Sequence, residues 1–267
     1  MLKKFLSLFF VFSCFVCSLS GCYSKSDAEQ IRVGTISGPE TQLMQVAKSV
    51  LLKQSDLHLK IIEFSDYSLP NRALSEGSLD ANMFQHQIFL DEENKQQHYH
   101  LIPIAKLFIY PMGIYSKKIQ ALDKIKQNAI VAIPNDPSNE ARALSLLQQA
   151  GLLKLNPNAK NLATPRDIMA NPKNLQIKEL DAAQLTRSLP DVDAAVINTN
   201  YAVLANLYPQ QDALFSENKN SAYANLLVSK EKDKDNPKLQ VLVKALHSPE
   251  VLAAAQQLFH GQAIPAW

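Results

Sequence analysis

The sequence AIVAIPNDPSNEARALSLLQQAG, residues 129–151, decides the fold class. Residues 129–133 form a short apolar run, which is typical of a buried strand. From residue 139 to residue 150 the apolar side chains recur at helical spacing, and Gly151 follows where a helix commonly ends. A strand that passes through a turn into a helix is one unit of an α/β fold, so this stretch predicts that class.

The same alternation extends along the chain on both sides of this stretch. An extended stretch over residues 101–115 is interrupted by Pro103 and Pro111. Two successive sets of strands and helices indicate two lobes with mostly parallel sheets. The other strands are predicted over residues 31–36, 59–64, 79–83, 175–180, 194–198 and 223–229. The other helices are predicted over residues 41–53, 70–75, 87–97, 121–127, 182–188, 199–207 and 238–259.

The N-terminus has the three regions of a secretory signal. Two lysines precede an apolar run over residues 5–16, which is too short for the ~20 residues that span a bilayer. The sequence LSGC at residues 19–22 resembles a lipobox, the processing site of bacterial lipoproteins. The resemblance implies that residues 1–21 are a signal peptide and that Cys22 becomes a lipidated N-terminus. An ordinary cleaved signal with a nearby cysteine is the alternative.

Charge and cysteine content exclude several classes of protein. The sequence has 27 Lys and Arg against 25 Asp and Glu, and Lys3 and Lys4 account for the whole excess. The chain beyond residue 21 is therefore balanced, without the basic footprint of a nucleic-acid-binding protein. Of the 3 cysteines, Cys14 and Cys17 lie in the predicted signal, so no pair is left for a disulfide. A total of 7 glycines makes phosphate-binding loops unexpected.

Signals of catalysis and of metal binding are largely absent from the sequence. It has no nucleotide-binding glycine motif, no serine-hydrolase elbow and no zinc-protease helix motif. His98 and His100 would share one face of a strand, but a solvated loop is the simpler interpretation. A hydrolase that uses His86 with Asp80 or Asp66 is an alternative that lacks an activated nucleophile. We therefore expect no catalytic residue, no metal and no cofactor.

Three clusters place polar and aromatic residues at the predicted ends of strands. The first, FSDYSLPN at residues 64–71, contains Tyr67. The second, DANMFQHQIFL at residues 80–90, places Phe84, His86 and Phe89 where a strand passes into a helix. Ligands of α/β proteins bind beyond the carboxyl ends of strands, so these side chains are candidates for a binding site. A plain core role for the two phenylalanines is the alternative.

The third cluster, IPNDPSNEAR at residues 133–142, combines a helix start with a cation. Ser138 or Asn139 is the expected cap, which places Arg142 in the first helical turn. A cation there opposes the helix dipole unless an anion neutralises it, and a carboxylate from a ligand would do so. An exposed arginine without a ligand is the alternative.

These clusters, with AVINTNYA at residues 195–202 and YANLLV at residues 223–228, strongly resemble one family. It is the methionine-binding lipoprotein family (the NlpA lipoproteins), which serves ABC importers. The likeness runs from the lipobox to Trp267. Its most specific segments are residues 64–86, 108–118, 134–153, 171–175 and 195–202.

The resemblance implies the fold of a periplasmic-type binding protein. Two α/β lobes, each a mostly parallel sheet flanked by helices, close over a ligand in the cleft between them. The chain would cross between the lobes near Tyr110 and Pro111 and again near residues 221–223. The implied segments are a lipidated tether over residues 22–30, lobe 1 over residues 31–110 and 223–267, and lobe 2 over residues 111–222.

The resemblance also implies a ligand, methionine, chiefly in its L-form. Arg142 would bind the α-carboxylate, and Asn198 and Asn225 would hydrogen-bond the amino-acid head group. The side-chain pocket would be walled by Tyr67, Phe84, His86 and Phe89. At position 89 relatives often carry tyrosine, so the missing hydroxyl should alter pocket hydration more than substrate class.

The implied setting is the outside of a cell membrane. The lipid on Cys22 would hold a monomer on the periplasmic or outer face, next to an ABC permease and its ATPase. D-methionine, a methionine dipeptide and another apolar amino acid stay open as ligands, because the same aromatic walls suit each of them. A scaffold or adhesin role has no sequence feature in its favour.

Overall fold

The computed structural model describes residues 29–218 and 221–267. The predicted signal peptide at residues 1–21, Cys22 and nearly all of the tether lie outside these ranges. Within them, no helix is long and apolar enough to cross a membrane.

Strands and helices alternate along the described chain. The strands are β1 (Gln30–Ile36), β2 (His58–Phe64), β3 (Ala81–His86), β4 (Leu101–Ile109), β5 (Gly113–Tyr115), β6 (Ile130–Pro134), β7 (Lys154–Leu155), β8 (Ile168–Ala170), β9 (Gln176–Leu180), β10 (Ala194–Ile197), β11 (Phe215–Ser216), β12 (Ala224–Lys230) and β13 (Ile264–Pro265). The helices are α1 (Pro39–Gln54), α2 (Pro70–Ser75), α3 (Gln87–Gln97), α4 (Pro137–Gln149), α5 (Leu185–Ser188), α6 (Thr199–Leu204), α7 (Pro209–Asp212), α8 (Pro237–Leu246) and α9 (Pro249–Leu258).

The strands form two main sheets, and each is the centre of one lobe. The first sheet has the order β13-β4-β12-β3-β1-β2, and the second has the order β11-β5-β10-β6-β9. β1 is parallel to β2 and β3, and β6 is parallel to β9 and β10. β12 lies between β3 and β4 and is antiparallel to both, because the chain enters it on its return from the second sheet. The result is a two-lobed α/β fold.

The chain passes between the two sheets twice. The first passage, residues 110–112, joins β4 to β5, and the second, residues 217–223, joins β11 to β12. Pro111 in the first passage lacks the backbone N–H that a continuing strand would use. The exact lobe boundaries given above stay a prediction.

Of the four apolar clusters among the described residues, one packs α2 and α3 on the first sheet, and three larger ones hold the remaining layers together. One fills the space between the first sheet and helices α1, α8 and α9, and another packs α4 on the second sheet. The third joins the lobes, because Ile36 and Phe84 from the first sheet share it with Ile197 and Tyr201 of the second lobe. Each large apolar side chain buried in this way contributes roughly 1.5–3 kcal/mol. The lobes are therefore closed on one another, with apolar surface between them.

Several predicted elements are confirmed, and others differ for identifiable reasons. Helices α2 and α3 have the predicted bounds. The predicted helix over residues 121–127 is wrong, since only Leu122–Lys124 forms a single 3-10 turn. There Ile125 is extended and buried in the second core, and such burial outweighs local helix propensity. Pro103 lies inside β4 rather than interrupting it, at an irregularity of pairing where a missing N–H is tolerated.

Candidate functional site

A cavity lies between the two lobes, with about 20 Å³ of space for a water-sized sphere. The structure brings all seven predicted ligand-binding residues to its wall, although they are far apart in sequence. The lining consists of Tyr67, Phe84, Gln85, His86, Phe89, Tyr110, Asn139, Arg142, Asn198, Thr199, Asn200 and Asn225. The contacts of these residues with a ligand stay a prediction.

One side of the cavity is aromatic. The ring centroids of Tyr67 and Phe84 are 5.7 Å apart, and Phe84 and Phe89 meet edge to face at 5.5 Å. Both phenylalanines are buried and belong to the apolar cluster between the lobes. The two phenylalanines are therefore core residues that also line the cavity, and their contact with a ligand stays a prediction. Such a wall favours an apolar, polarisable ligand group.

Tyr67 also connects the lobes across the cleft. Its hydroxyl donates a hydrogen bond of 2.7 Å to Oδ1 of Asn200, which lies on α6. The Tyr201 hydroxyl lies 3.4 Å from the backbone oxygen of Ser65 on the other lobe. These contacts link the two lobes on the aromatic side of the cavity.

His86 ends β3 and caps helix α3. Its Nδ1 accepts a hydrogen bond of 3.2 Å from the backbone N–H of Phe89, and its Nε2 lies 3.4 Å from Oδ1 of Asn139. Burial, reinforced by the charge of Arg142, lowers the pKa of His86 to about 3. The ring is therefore neutral at physiological pH, and its Nδ1 is not available as a general base.

The positions of the acidic residues also contradict the hydrolase alternative. Asp80 comes just before β3, and His86 is the last residue of that strand. The length of β3 therefore separates Asp80 from His86 by roughly 15–20 Å. The Asp80 carboxylate is paired with Arg32 at 2.8 Å. Asp66 accepts hydrogen bonds from its neighbours Ser65 and Ser68. Both carboxylates therefore have partners other than His86.

Helix α4 begins earlier than predicted, which moves Arg142. Pro137 is its first residue, and the Asp136 carboxylate caps it by accepting a hydrogen bond of 2.9 Å from the N–H of Asn139. The prediction of Ser138 or Asn139 as the cap is therefore wrong, and Arg142 lies in the second turn. Arg142 is also 4% exposed, so the alternative of an exposed arginine is wrong as well.

The chain itself supplies an anion for Arg142. Nε and Nη2 donate to the two carboxylate oxygens of Glu217 at 2.8 and 2.6 Å, and Nη2 also donates to the backbone oxygen of Tyr110 at 3.0 Å. The guanidinium carbon lies 4.3 Å from the ring centroid of Tyr223. Although burial alone favours the neutral form, the Glu217 carboxylate raises the pKa of Arg142. Nη1 makes no hydrogen bond to any described residue, which leaves it available to a ligand.

Amide groups line the cavity near Arg142. Nδ2 of Asn198 donates to Oδ1 of Asn139 at 2.8 Å, and within the described chain its buried Oδ1 has no partner. Nδ2 of Asn225 donates to Oε1 of Glu40 at 2.8 Å and to the backbone oxygen of Phe84 at 3.2 Å. This leaves the two Oδ1 atoms as acceptors for a ligand's donors. An unsatisfied buried acceptor is unfavourable until such a donor arrives.

A buried carboxyl group supports this corner of the site. Glu40 lies in the first turn of α1, is 1% exposed and contacts Asn225. Burial raises its pKa to about 8, an effect that the hydrogen bond from Asn225 opposes. Glu40 is therefore mostly protonated at neutral pH.

The groups that line the cavity are chemically suited to a small molecule that carries a carboxylate, a hydrogen-bond donor and an apolar chain. Nη1 of Arg142 serves the carboxylate, the amide oxygens serve the donor, and the aromatic wall serves the apolar chain. Within residues 29–218 and 221–267, no cluster of side chains is suited to a metal ion.

Comparison with known proteins gives one consistent result. The sequence profile of a family described as NlpA lipoprotein matches residues 31–267. A relative from Salmonella typhi, named D-methionine-binding lipoprotein MetQ, is 46% identical over 253 residues, which cover 94% of this chain and 93% of the relative.

Two solved structures are similar over nearly the whole described chain. An ABC transporter periplasmic substrate-binding protein from Coxiella burnetii is 57% identical, with a TM-score of 0.86 over 88% of this chain and 100% of its own. A nutrient-binding protein from Burkholderia cenocepacia, solved bound to methionine, is 50% identical, with a TM-score of 0.87 over 89% of this chain and 100% of its own.

Proposed function

Because the chain belongs to the NlpA lipoprotein family, we propose that it is the solute-binding component of an ABC importer, exported and held at a membrane, and that it captures methionine. Family membership places it among transport proteins rather than enzymes. The observation that carries the proposal is a single cavity between the lobes that is lined both by the buried guanidinium of Arg142 and by aromatic rings.

Each end of methionine has a matching group in the cavity. Nη1 of Arg142 takes the α-carboxylate, and Oδ1 of Asn198 and Oδ1 of Asn225 accept from the α-ammonium. Such hydrogen bonds to charged groups contribute roughly 1.5–3 kcal/mol each. This pairing also gives the acceptor of Asn198 the partner that it lacks within the described chain.

The aromatic wall takes the thioether chain, between Tyr67, Phe84 and Phe89 and beside the edge of His86. Burial of a chain of this size contributes roughly 1.5–3 kcal/mol, and contact of sulfur with aromatic rings adds about 0.3–1.5 kcal/mol. Together with the head-group bonds, and after the entropy of association, these terms support micromolar or tighter binding.

The attachment and the lobe division are part of the same proposal. Residues 1–21 are a signal peptide, Cys22 carries the lipid, and residues 22–30 are the tether. Lobe 1 comprises residues 31–110 and 223–267, and lobe 2 comprises residues 111–222. The protein is a monomer, and its closed lobes dock on a permease that is driven by an ATPase.

The stereochemistry of the ligand needs a direct test. The name of the Salmonella typhi relative specifies D-methionine, whereas the Burkholderia cenocepacia protein is described only as bound to methionine. We propose L-methionine as the chief ligand. D-methionine, a methionine dipeptide and another apolar amino acid are the alternatives to be separated by experiment.

The test begins with the full chain solubilised in detergent. The purified protein is denatured, and any released small molecule is identified by mass spectrometry, with free methionine as the expected result. The refolded, empty protein is then titrated calorimetrically with L-methionine, D-methionine, Gly-Met and leucine. L-methionine should bind most tightly, and a chain that binds none of the four would contradict the proposal.

A further inference from the structure

The Arg142–Glu217 pair lies where the two passages between the lobes meet. Both side chains are about 95% buried, with exposures of 5% and 6%. Arg142 belongs to α4, whereas its partners Tyr110 and Glu217 belong to the first and second passage respectively. Oε2 of Glu217 also accepts from the backbone N–H of Met112 at 3.0 Å. The Tyr110 carbonyl and the Glu217 carboxylate, one from each passage, therefore fix the guanidinium, and Met112 in turn holds Glu217.

The geometry of the pair determines which part of Arg142 a ligand meets. Glu217 occupies the edge formed by Nε and Nη2, with two hydrogen bonds of 2.8 and 2.6 Å. Tyr110 takes a further hydrogen of Nη2. A carboxylate arriving in the cavity is thus restricted to Nη1. Glu217 does not line the cavity, so it acts on a ligand only through Arg142.

The pair also fixes the charge of the cavity. Among the described lining residues there is no Asp or Glu, and Arg142 is the lining residue with a permanent charge. His86 is neutral because its pKa is lowered to about 3, and Glu40, behind Asn225, is mostly neutral because its pKa is raised to about 8. Glu217 cancels the charge of Arg142, so the wall that a ligand meets is close to neutral.

One further carboxylate lies near the cavity. Asp136 is turned toward the start of α4, where it accepts hydrogen bonds from Ser138 and Asn139. The positive end of the helix dipole compensates it there. Asp136 therefore does not change the net charge that a ligand meets at Arg142.

We propose that Glu217 is the charge-selecting residue of this site: by neutralising Arg142 and presenting only Nη1, it makes the cavity favour a zwitterionic amino acid over an analogue of net negative charge. This inference rests on the proposed function, because it takes methionine as the reference ligand. A zwitterion brings its own compensating ammonium, whereas an anion in a neutral, buried cavity has lost water without gaining a full counter-charge. Without Glu217, the positive charge of Arg142 would be free to pair with an anion.

The experiment compares two ligands that differ in one group. L-methionine is the zwitterion, and 2-hydroxy-4-(methylthio)butanoate, in which a hydroxyl replaces the ammonium, is the anion. Their dissociation constants are measured calorimetrically at pH 7 for the wild-type chain and for Glu217→Gln and Glu217→Asp. Asp80→Asn is the matched control, since it removes the carboxylate of another two-bond arginine pair, that of Arg32, away from the cavity.

We expect the wild-type chain to bind the anion more weakly than methionine by roughly tenfold or more. In Glu217→Gln this preference should shrink by roughly tenfold or more, because the anion gains an uncompensated guanidinium. Glu217→Asp and Asp80→Asn should keep the wild-type preference. A merely structural role for Glu217 would weaken both ligands equally and leave the ratio unchanged, which would overturn the proposal.

Two controls keep the outcomes distinct. Equal binding of both ligands by the wild-type chain overturns the proposal without any substitution, so the test survives if Glu217→Gln does not fold. Failure of the wild-type chain to bind methionine overturns the proposed function instead. Normal methionine binding with an unchanged ratio in a folded Glu217→Gln overturns only the role of Glu217.

Discussion

Replacing Glu40 by glutamine should stabilise the ligand-free protein, and by an amount that depends on pH. The pKa of this carboxyl is raised by burial from 4.5 to about 8, while the hydrogen bond from Asn225 limits the rise. Between these two pH values the unfolded chain has lost the proton and the folded chain still holds it. The free energy of unfolding of the wild-type chain therefore falls as the pH rises through this window. Glutamine does not ionise and keeps an acceptor oxygen for Asn225.

The size of the effect follows from the same two values. A difference of one unit between the folded and unfolded pKa corresponds to about 1.4 kcal/mol. The rise from 4.5 to about 8 therefore sets an upper limit of roughly 5 kcal/mol on the stability gained by the substitution. Entry of water around an ionised Glu40 reduces this limit, and we expect a gain of about 2–4 kcal/mol above pH 8. At pH 4 the gain should nearly vanish, because Glu40 of the wild-type chain is then mostly protonated in both the folded and the unfolded state.

The assay is urea unfolding of empty wild-type and Glu40→Gln protein at pH 4, 6 and 8.5. Glu76→Gln is a control, because that carboxylate is exposed and pairs with Arg72 on the surface. His86 has the opposite dependence, since its lowered pKa makes stability fall as the pH drops from 6.5 toward 3. Both proteins share this slope, and it cancels in their difference. A difference that is the same at pH 4 and 8.5, or a less stable Glu40→Gln at pH 8.5, would refute the reasoning.

Four further substitutions test the site and the closure. Arg142→Ala should weaken methionine binding roughly tenfold to a thousandfold in calorimetry, and unchanged affinity would remove its assigned role. Tyr67→Phe loses the 2.7 Å bond to Asn200 across the cleft, so its affinity should fall by up to about tenfold through faster dissociation in stopped-flow measurements; an unaltered rate would argue against a closing role. Gly38→Ala places a side chain at φ 120°, which should destabilise the protein by roughly 1–3 kcal/mol in thermal unfolding; a neutral result would mean that the turn relaxes. Phe89→Tyr should leave the order of ligand preference intact in a competition series, and a reversed order would show that the position sets substrate class.

The regular elements were predictable where local chemistry agrees with tertiary packing. Helices α2 and α3 have their predicted bounds, since Pro70 suits a first helical turn and His86 caps the next helix. The start of α4 was predicted wrongly, although the sequence holds the signal: Asp136 is a good cap, and Pro137 after it suits a first helical position. The failed helix over residues 121–127 was not predictable, since the burial of Ile125 depends on the second sheet.

The site was predictable only in part from the residues alone. Phe84, His86 and Arg142 stood out at strand ends and at a helix start, but their roles came from family resemblance. Glu217 had no local signal, because it meets Arg142 across 75 positions of sequence. Glu40 likewise meets Asn225 across 185 positions. Counter-ions and buried supports of this kind are set by tertiary structure, and a sequence pattern of period 2 or 3.6 does not contain them.

The position of β12 in the first sheet governs the order in which the exported chain can be completed. β3 and β4 come early in the chain, but the strand that belongs between them follows only after the whole second sheet. Until it arrives, both strands have an open edge, which is a surface prone to wrong pairing. The second sheet has a shorter wait of the same kind, because β10 lies between the earlier strands β5 and β6. A stop codon late in the coding sequence would thus remove the middle of a sheet rather than a dispensable tail.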